Sequence, residues 1–151
     1  MKESYDISAR GSYVIIEDVT KGSKIYITDF ADDQDPITID DVNIAEGFYD
    51  ANGKLCRRGK IEPVNCHIAV IPSSDGELAM NEFVLNNLTL TNGSAYSTCN
   101  MTVFYRSGKK TEFCNGFLTS SSMGYAATSA GRIRTKNYSF CFETCNVVAG
   151  A

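Results

Sequence analysis

A mainly β fold carrying one α-helix is what this sequence predicts, and three observations carry the prediction. Apolar and polar residues alternate in several segments, most plainly at Val64, Cys66, Ile68 and Val70, which is the period of a half-buried strand. Helical spacing shows in a single segment after Ser74. No internal repeat and no interdomain linker interrupts the 151 residues, a length that fits one compact domain. The expected architecture is therefore one domain over residues 1–151, a β-sandwich or barrel with a helix packed on it.

In order, Tyr13-Val14-Ile15-Ile16 followed by Glu17-Asp18 reads as a strand. Lys21-Gly22-Ser23 reads as a turn, and Lys24 to Phe30 as the next strand, because Ile25, Tyr26 and Ile27 are strong strand formers. Pro36 sets Ile37-Thr38-Ile39 apart as an extended piece. Asp50-Ala51-Asn52-Gly53-Lys54 is turn chemistry, since Asn-Gly tolerates positive φ. In the strand from Glu62 to Ile71, Asn65, His67 and Ala69 fall on the face opposite the apolar set. Ser74-Asp75-Gly76-Glu77 then forms a capping box, in which the Glu77 carboxylate is expected to reach back to the cap. Met80, Phe83, Val84 and Leu88 follow as one apolar stripe of a helix ending near Asn86-Asn87. Beyond a turn at Thr91–Ser94, Cys99, Met101, Val103 and Tyr105 alternate into a hairpin. The return strand is read from Thr111, Phe113 and Phe117, and Thr119 to Gly131 as a loop. The last strand is expected from Ile133 to Val148, with Tyr138, Phe140 and Phe142 on one face.

Composition excludes several classes. At 43% hydrophobic and 21% charged residues the chain is not globally disordered. No apolar run approaches the roughly 18 residues of a membrane span. Met1–Asp6 carries two acids and no apolar core, unlike a secretory signal. A formal net charge of -4 argues against a general nucleic-acid binder. There is one His and no Trp. The six cysteines could pair as three disulfides, but the expected state is reduced and mostly buried thiols. Cys141-x₃-Cys145 is the one close cysteine pair and lacks the second pair a zinc site uses. His67 and Cys66 are strand neighbours pointing to opposite faces, so they form no dyad. Phosphate-loop, dinucleotide and nucleophile-elbow motifs are missing. With no convergent acid, base and nucleophile, neither enzyme activity nor a cofactor is expected.

Charge is uneven. Residues 1–50 carry twelve acids against four bases, and the rest six acids against ten bases. One reading is an ordinary solvated acidic loop. The other is self-complementarity between identical subunits in a head-to-tail array.

The order of segments resembles a known family. Two N-terminal strands precede Asp32-Asp33-Gln34-Asp35-Pro36-Ile37-Thr38-Ile39 and a loop with Asp50-Ala51-Asn52-Gly53. A strand entering Pro72-Ser73-Ser74-Asp75-Gly76-Glu77-Leu78, a helix, a hairpin and Asn137-Tyr138-Ser139-Phe140-Cys141-Phe142-Glu143 complete it. This looks like the tail tube proteins of contractile-tailed bacteriophages, which share a fold with the Hcp tube protein of type VI secretion. The resemblance implies a β-sandwich or half-barrel whose six copies form a ring, with rings stacked into the inner tail tube of the virion. Implied partners are further copies of itself, the sheath, baseplate and tail terminator proteins, a tape measure protein in the lumen, and DNA in transit, with no membrane. It also implies assembly in the host cytoplasm. On that reading Asp18 and Asp29 are candidates to face the lumen, where acids would let DNA slide. Arg57, Arg58 and Lys60 in the 40–60 loop are candidates to meet Asp32, Asp33 and Asp35 of a neighbour. An Hcp-like secreted ring, a terminator or a baseplate component on the same fold are the nearest alternatives. A monomeric β-rich ligand-binding module is the alternative of a different class.

Overall fold

Seven antiparallel strands form one sheet that curls toward closure around an apolar core. The computed structural model describes residue 7 and residues 9–88 and 98–149; the turn expected at Thr91–Ser94 lies outside them. The strands are β1 (Tyr13–Asp18), β2 (Ser23–Ile27), β3 (Ile37–Ile39), β4 (Ala45–Tyr49), β5 (Leu55–Gly59), β6 (Val64–Val70), β7 (Cys99–Phe104), β8 (Lys110–Ser121) and β9 (Lys136–Val148). The helix α1 spans Asp75–Leu88. The large sheet runs β2-β1-β7-β8-β9-β6-β3, while β4 and β5 make a separate two-stranded sheet.

The chain leaving β2 crosses to the far side of the sheet, where Phe30 bridges Val70 and Ala31 N–H donates to the Ala69 carbonyl. The two ends of the sheet thus approach each other, and the half-barrel is the form the expected β architecture takes. Alternation sends Val14, Ile16, Ile25, Ile27, Ile68, Met101, Val103, Tyr138, Phe140 and Phe142 inward, and Met80, Phe83 and Val84 of α1 pack on them. Burial of these side chains, about 1.5–3 kcal/mol each, is the main driving force for the fold.

Several expectations change, each for a local reason. In β8 the pairing with β7 slips between Cys99 and Met101, where Asn115 takes φ 55. The N–H left outside the ladder donates to Asn100 Oδ1 at 2.8 Å. This bulge switches the inward parity, so Phe113 is buried and Phe117, expected beside it, is exposed. It also brings Gly116 so close to β9 that a Cβ there would lie 2.2 Å from the Phe142 ring. Gly116→Ala is expected to cost about 2–3 kcal/mol through overpacking, read as a lowered melting temperature; an unchanged value would contradict this packing. The strand continues to Ser121, shortening the expected loop, and β9 begins at Lys136 rather than Ile133. Leu88 sits on the solvent side of α1, not in the core stripe.

Burial divides the six free cysteines: Cys66 and Cys99 are buried, Cys56 and Cys141 intermediate, Cys114 and Cys145 exposed. Fewer are buried than expected. Burial pushes the Cys66 and Cys99 thiols up to about 12, so neither supplies thiolate at neutral pH. A maleimide at pH 7 should label Cys114 and Cys145 in the native protein, and Cys66 and Cys99 only in denaturant. Labelling of the buried pair at the same rate as the exposed pair would refute this division.

Candidate assembly surfaces

The β4–β5 hairpin stands apart from the barrel yet is firmly built. At its tip Asp50 Oδ1 accepts the N–H groups of Asn52 and Lys54, both at 2.9 Å, and Gly53 takes φ 78. At its base Lys60 N–H donates to the Ile44 carbonyl at 2.8 Å, while Asn43 donates to both oxygens of the Glu62 carboxylate. Its two faces differ. On one, Arg58 pairs with Glu46 at 3.2 Å and Lys60 joins the same carboxylate at 3.4 Å, with Arg58 also over the Phe48 ring. On the other, Tyr49 lies opposite Leu55 and Gly47 opposite Arg57. Tyr49 is 73% exposed and Leu55 72%, and no ion pair holds Arg57 among the described residues. The hairpin thus holds an aromatic and a leucine side by side in water.

The acidic segment is tied down within its own chain. Arg132 grips Asp32 through two nitrogens, at 2.7 and 3.1 Å, and holds its carboxyl below the ordinary carboxylate range. Asp33 accepts the Thr135 hydroxyl at 2.7 Å. Asp35 borders a shallow recess shared with His67 and Ser139. Within the protomer, therefore, Asp32, Asp33 and Asp35 do not meet Arg57, Arg58 and Lys60, and four of these six groups already have partners of their own. Asp18 is likewise held within its own chain. It continues the inward series Val14, Ile16 and is 1% exposed, with its carboxylate accepting the N–H groups of Thr20 and Lys21. It shapes the β1–β2 turn, with its carboxylate buried rather than presented to solvent in the protomer. Asp29 is half-buried where the chain crosses to β6, its carbonyl accepting Ile71 N–H.

A buried charge pair escaped the sequence reading. Lys136, at the inward position two before Tyr138, places its ammonium 3.6 Å from Glu77; the two side chains are 4% and 0% exposed. The same ammonium donates to the carbonyls of Ser122 and Gly124, and Glu77 also accepts from Asn81 and the Tyr125 hydroxyl. The cap survives in half: Glu77 N–H donates to Ser74 Oγ at 3.3 Å, but the carboxylate turns inward to Lys136 instead of reaching back. This cluster fastens the 122–135 segment to α1, and burial beside the Glu77 charge pushes the Tyr138 phenol up.

His67 stands between Asp40 (Nε2 to Oδ2, 3.0 Å) and Ser139 (Nδ1 to Oγ, 2.7 Å). The residue types are those of a hydrolytic triad, which adjacent-residue reasoning about Cys66 overlooked. Their setting differs from one: β6 is paired on both sides at His67, and β9 on both sides at Ser139. The ladders consume the backbone N–H groups that a developing oxyanion needs.

Residues 5–146 match the model of a family described as tail fiber protein gp32. No curated protein matches. Among solved structures, the chain superposes on the sheath/tube terminator of the extracellular contractile injection system PVC, with TM-score 0.64 and 11% identity over 98% of this chain and 100% of that one. It superposes on the tube-terminating cap of the anti-feeding prophage with TM-score 0.59 and 15% identity, over 100% and 95%. A chain of the PVC sheath–tube complex gives 0.58 and 13%, over 97% and 94%. At these identities the likeness is one of fold: a mainly β, one-helix fold of the tube and terminator type.

Proposed function

This chain belongs to the tail fiber protein gp32 family, and we propose on that premise that it is a structural, non-catalytic subunit of the contractile tail tube of a virion. Copies close into six-membered rings, and the rings stack into the tube through which DNA leaves. The observation that carries this reading is the preformed β4–β5 hairpin with Tyr49 and Leu55 held in water. An isolated protomer gains nothing from ordering such a surface, whereas a neighbouring copy would cover it. A formal net charge of -4 suits a bore that lets a polyanion slide. On this reading the partners are other copies, sheath, baseplate and terminator proteins and a tape measure protein, and assembly takes place in the host cytoplasm. A second reading is favoured by two of the fold neighbours, which are a terminator and a terminating cap: a single ring that closes the end of a tube. Negative-stain microscopy of the purified protein separates them. Stacked tubes are expected for a tube subunit and lone rings for a terminator; a monodisperse particle of one protomer would overturn both.

A further inference from the structure

Helix α1 carries apolar side chains on its solvent face as well as on its core face. Met80, Phe83 and Val84 face the core, while Leu78 and Leu85 on the opposite side, and Leu88 at the end of the helix, are each more than half exposed. Leu78 and Leu85, two turns apart on that face, make an apolar patch in water. Residues 75–88 include the acids Asp75, Glu77 and Glu82 and no base. Glu77 is spent on Lys136. Glu82 is exposed between Leu78 and Leu85, and although Lys21 and Lys24 share a recess with it, no ion pair holds it among the described residues.

Resting on the tube reading above, we propose that the Tyr49–Leu55–Arg57 face of the hairpin in one copy docks on the Leu78–Glu82–Leu85 face of α1 in the next. The occupant is a second copy because the two surfaces complement each other in kind and in spacing. Each is an apolar patch with one cation or one anion that no ion pair holds among the described residues. Leu55 and Arg57 lie two strand positions apart, about 7 Å, and Leu78 and Glu82 one helical turn apart, about 6 Å. On the docking side of the hairpin Leu55 lies over Gly47, while Gly59 opposite Ala45 leaves the base open for close approach. The contact is head-to-tail, the kind that closes rings or propagates stacks.

The test is a charge swap in the full chain, read by light scattering and microscopy, with circular dichroism confirming that each variant keeps its fold. Arg57→Glu and Glu82→Arg alone should each weaken assembly about tenfold or more, and the double variant should recover most of that loss. Normal assembly of Glu82→Arg beside a defective Arg57→Glu overturns the docking site and leaves α1 to a different protein, with the tube reading intact. Two defective single variants without recovery in the double also overturn it. Failure of the native chain to assemble would instead remove the tube reading itself.

Discussion

Replacing Tyr49 and Leu55 together by serine is expected to leave the protomer folded and to stop it from self-associating. Both side chains are almost three-quarters exposed, so the folded chain loses little when they go: surface substitutions of this kind stay within about 0.5 kcal/mol. The turn and base bonds that hold the hairpin are made by Asp50, Asn43 and Glu62 and survive the change. In an interface the same pair would be an aromatic and aliphatic anchor, worth at least about 2 kcal/mol, or about thirtyfold in affinity. Repetition around a ring multiplies that loss. The measurement is molar mass by light scattering beside a melting curve. An unchanged melting temperature with protomer mass at concentrations where the native chain assembles is the expected pair of results. Unimpaired assembly would mean that the hairpin is not the contact.

The largest effect on stability is expected at Lys136. Lys136→Met removes the cation that faces a fully buried Glu77 and also frees the carbonyls of Ser122 and Gly124. Breaking one side of a buried pair costs about 3–5 kcal/mol, on the order of 10 °C in melting temperature for a chain of this size. Adding Glu77→Gln should recover part of the loss, since the stranded charge is then gone. Strictly additive effects in that double-mutant cycle would contradict the coupling. Arg132→Ala, which frees only the exposed Asp32, should cost far less, because solvent screens an exposed pair.

What could be read from the sequence follows from where side-chain period is uninterrupted. The alternation at Val64–Val70 and Tyr138–Phe142 and the capping box before α1 locate their elements directly. Phe117 falls outside because a bulge resets parity, and Asn115-Gly116, the same Asn-Gly pair that marks the turn at Asn52-Gly53, was the signal in the sequence that located it. Asp18 and Lys136 were open to inference: each extends an inward series by one step, Val14-Ile16-Asp18 and Lys136-Tyr138-Phe140. Local N–H donors for Asp18 and a buried carboxylate for Lys136 make their burial tolerable. The hairpin was visible as turn chemistry at Asp50–Lys54, but its separation from the barrel depends on long-range closure that no short window contains. The same holds for the pairing of acids and bases. Charge distribution offers Asp32, Asp33 and Asp35 to a neighbouring copy's basic hairpin, but it does not reveal that Arg132 and Thr135 of the same chain already hold Asp32 and Asp33, across about one hundred residues.

A reconstruction of the assembled protein by cryo-electron microscopy tests the central claim most directly. Residues 45–59 should then lie against a neighbouring copy, with the Tyr49 and Leu55 side chains withdrawn from solvent in every subunit of a closed ring. Rings held together by other surfaces, with the hairpin left projecting into water, would contradict the account.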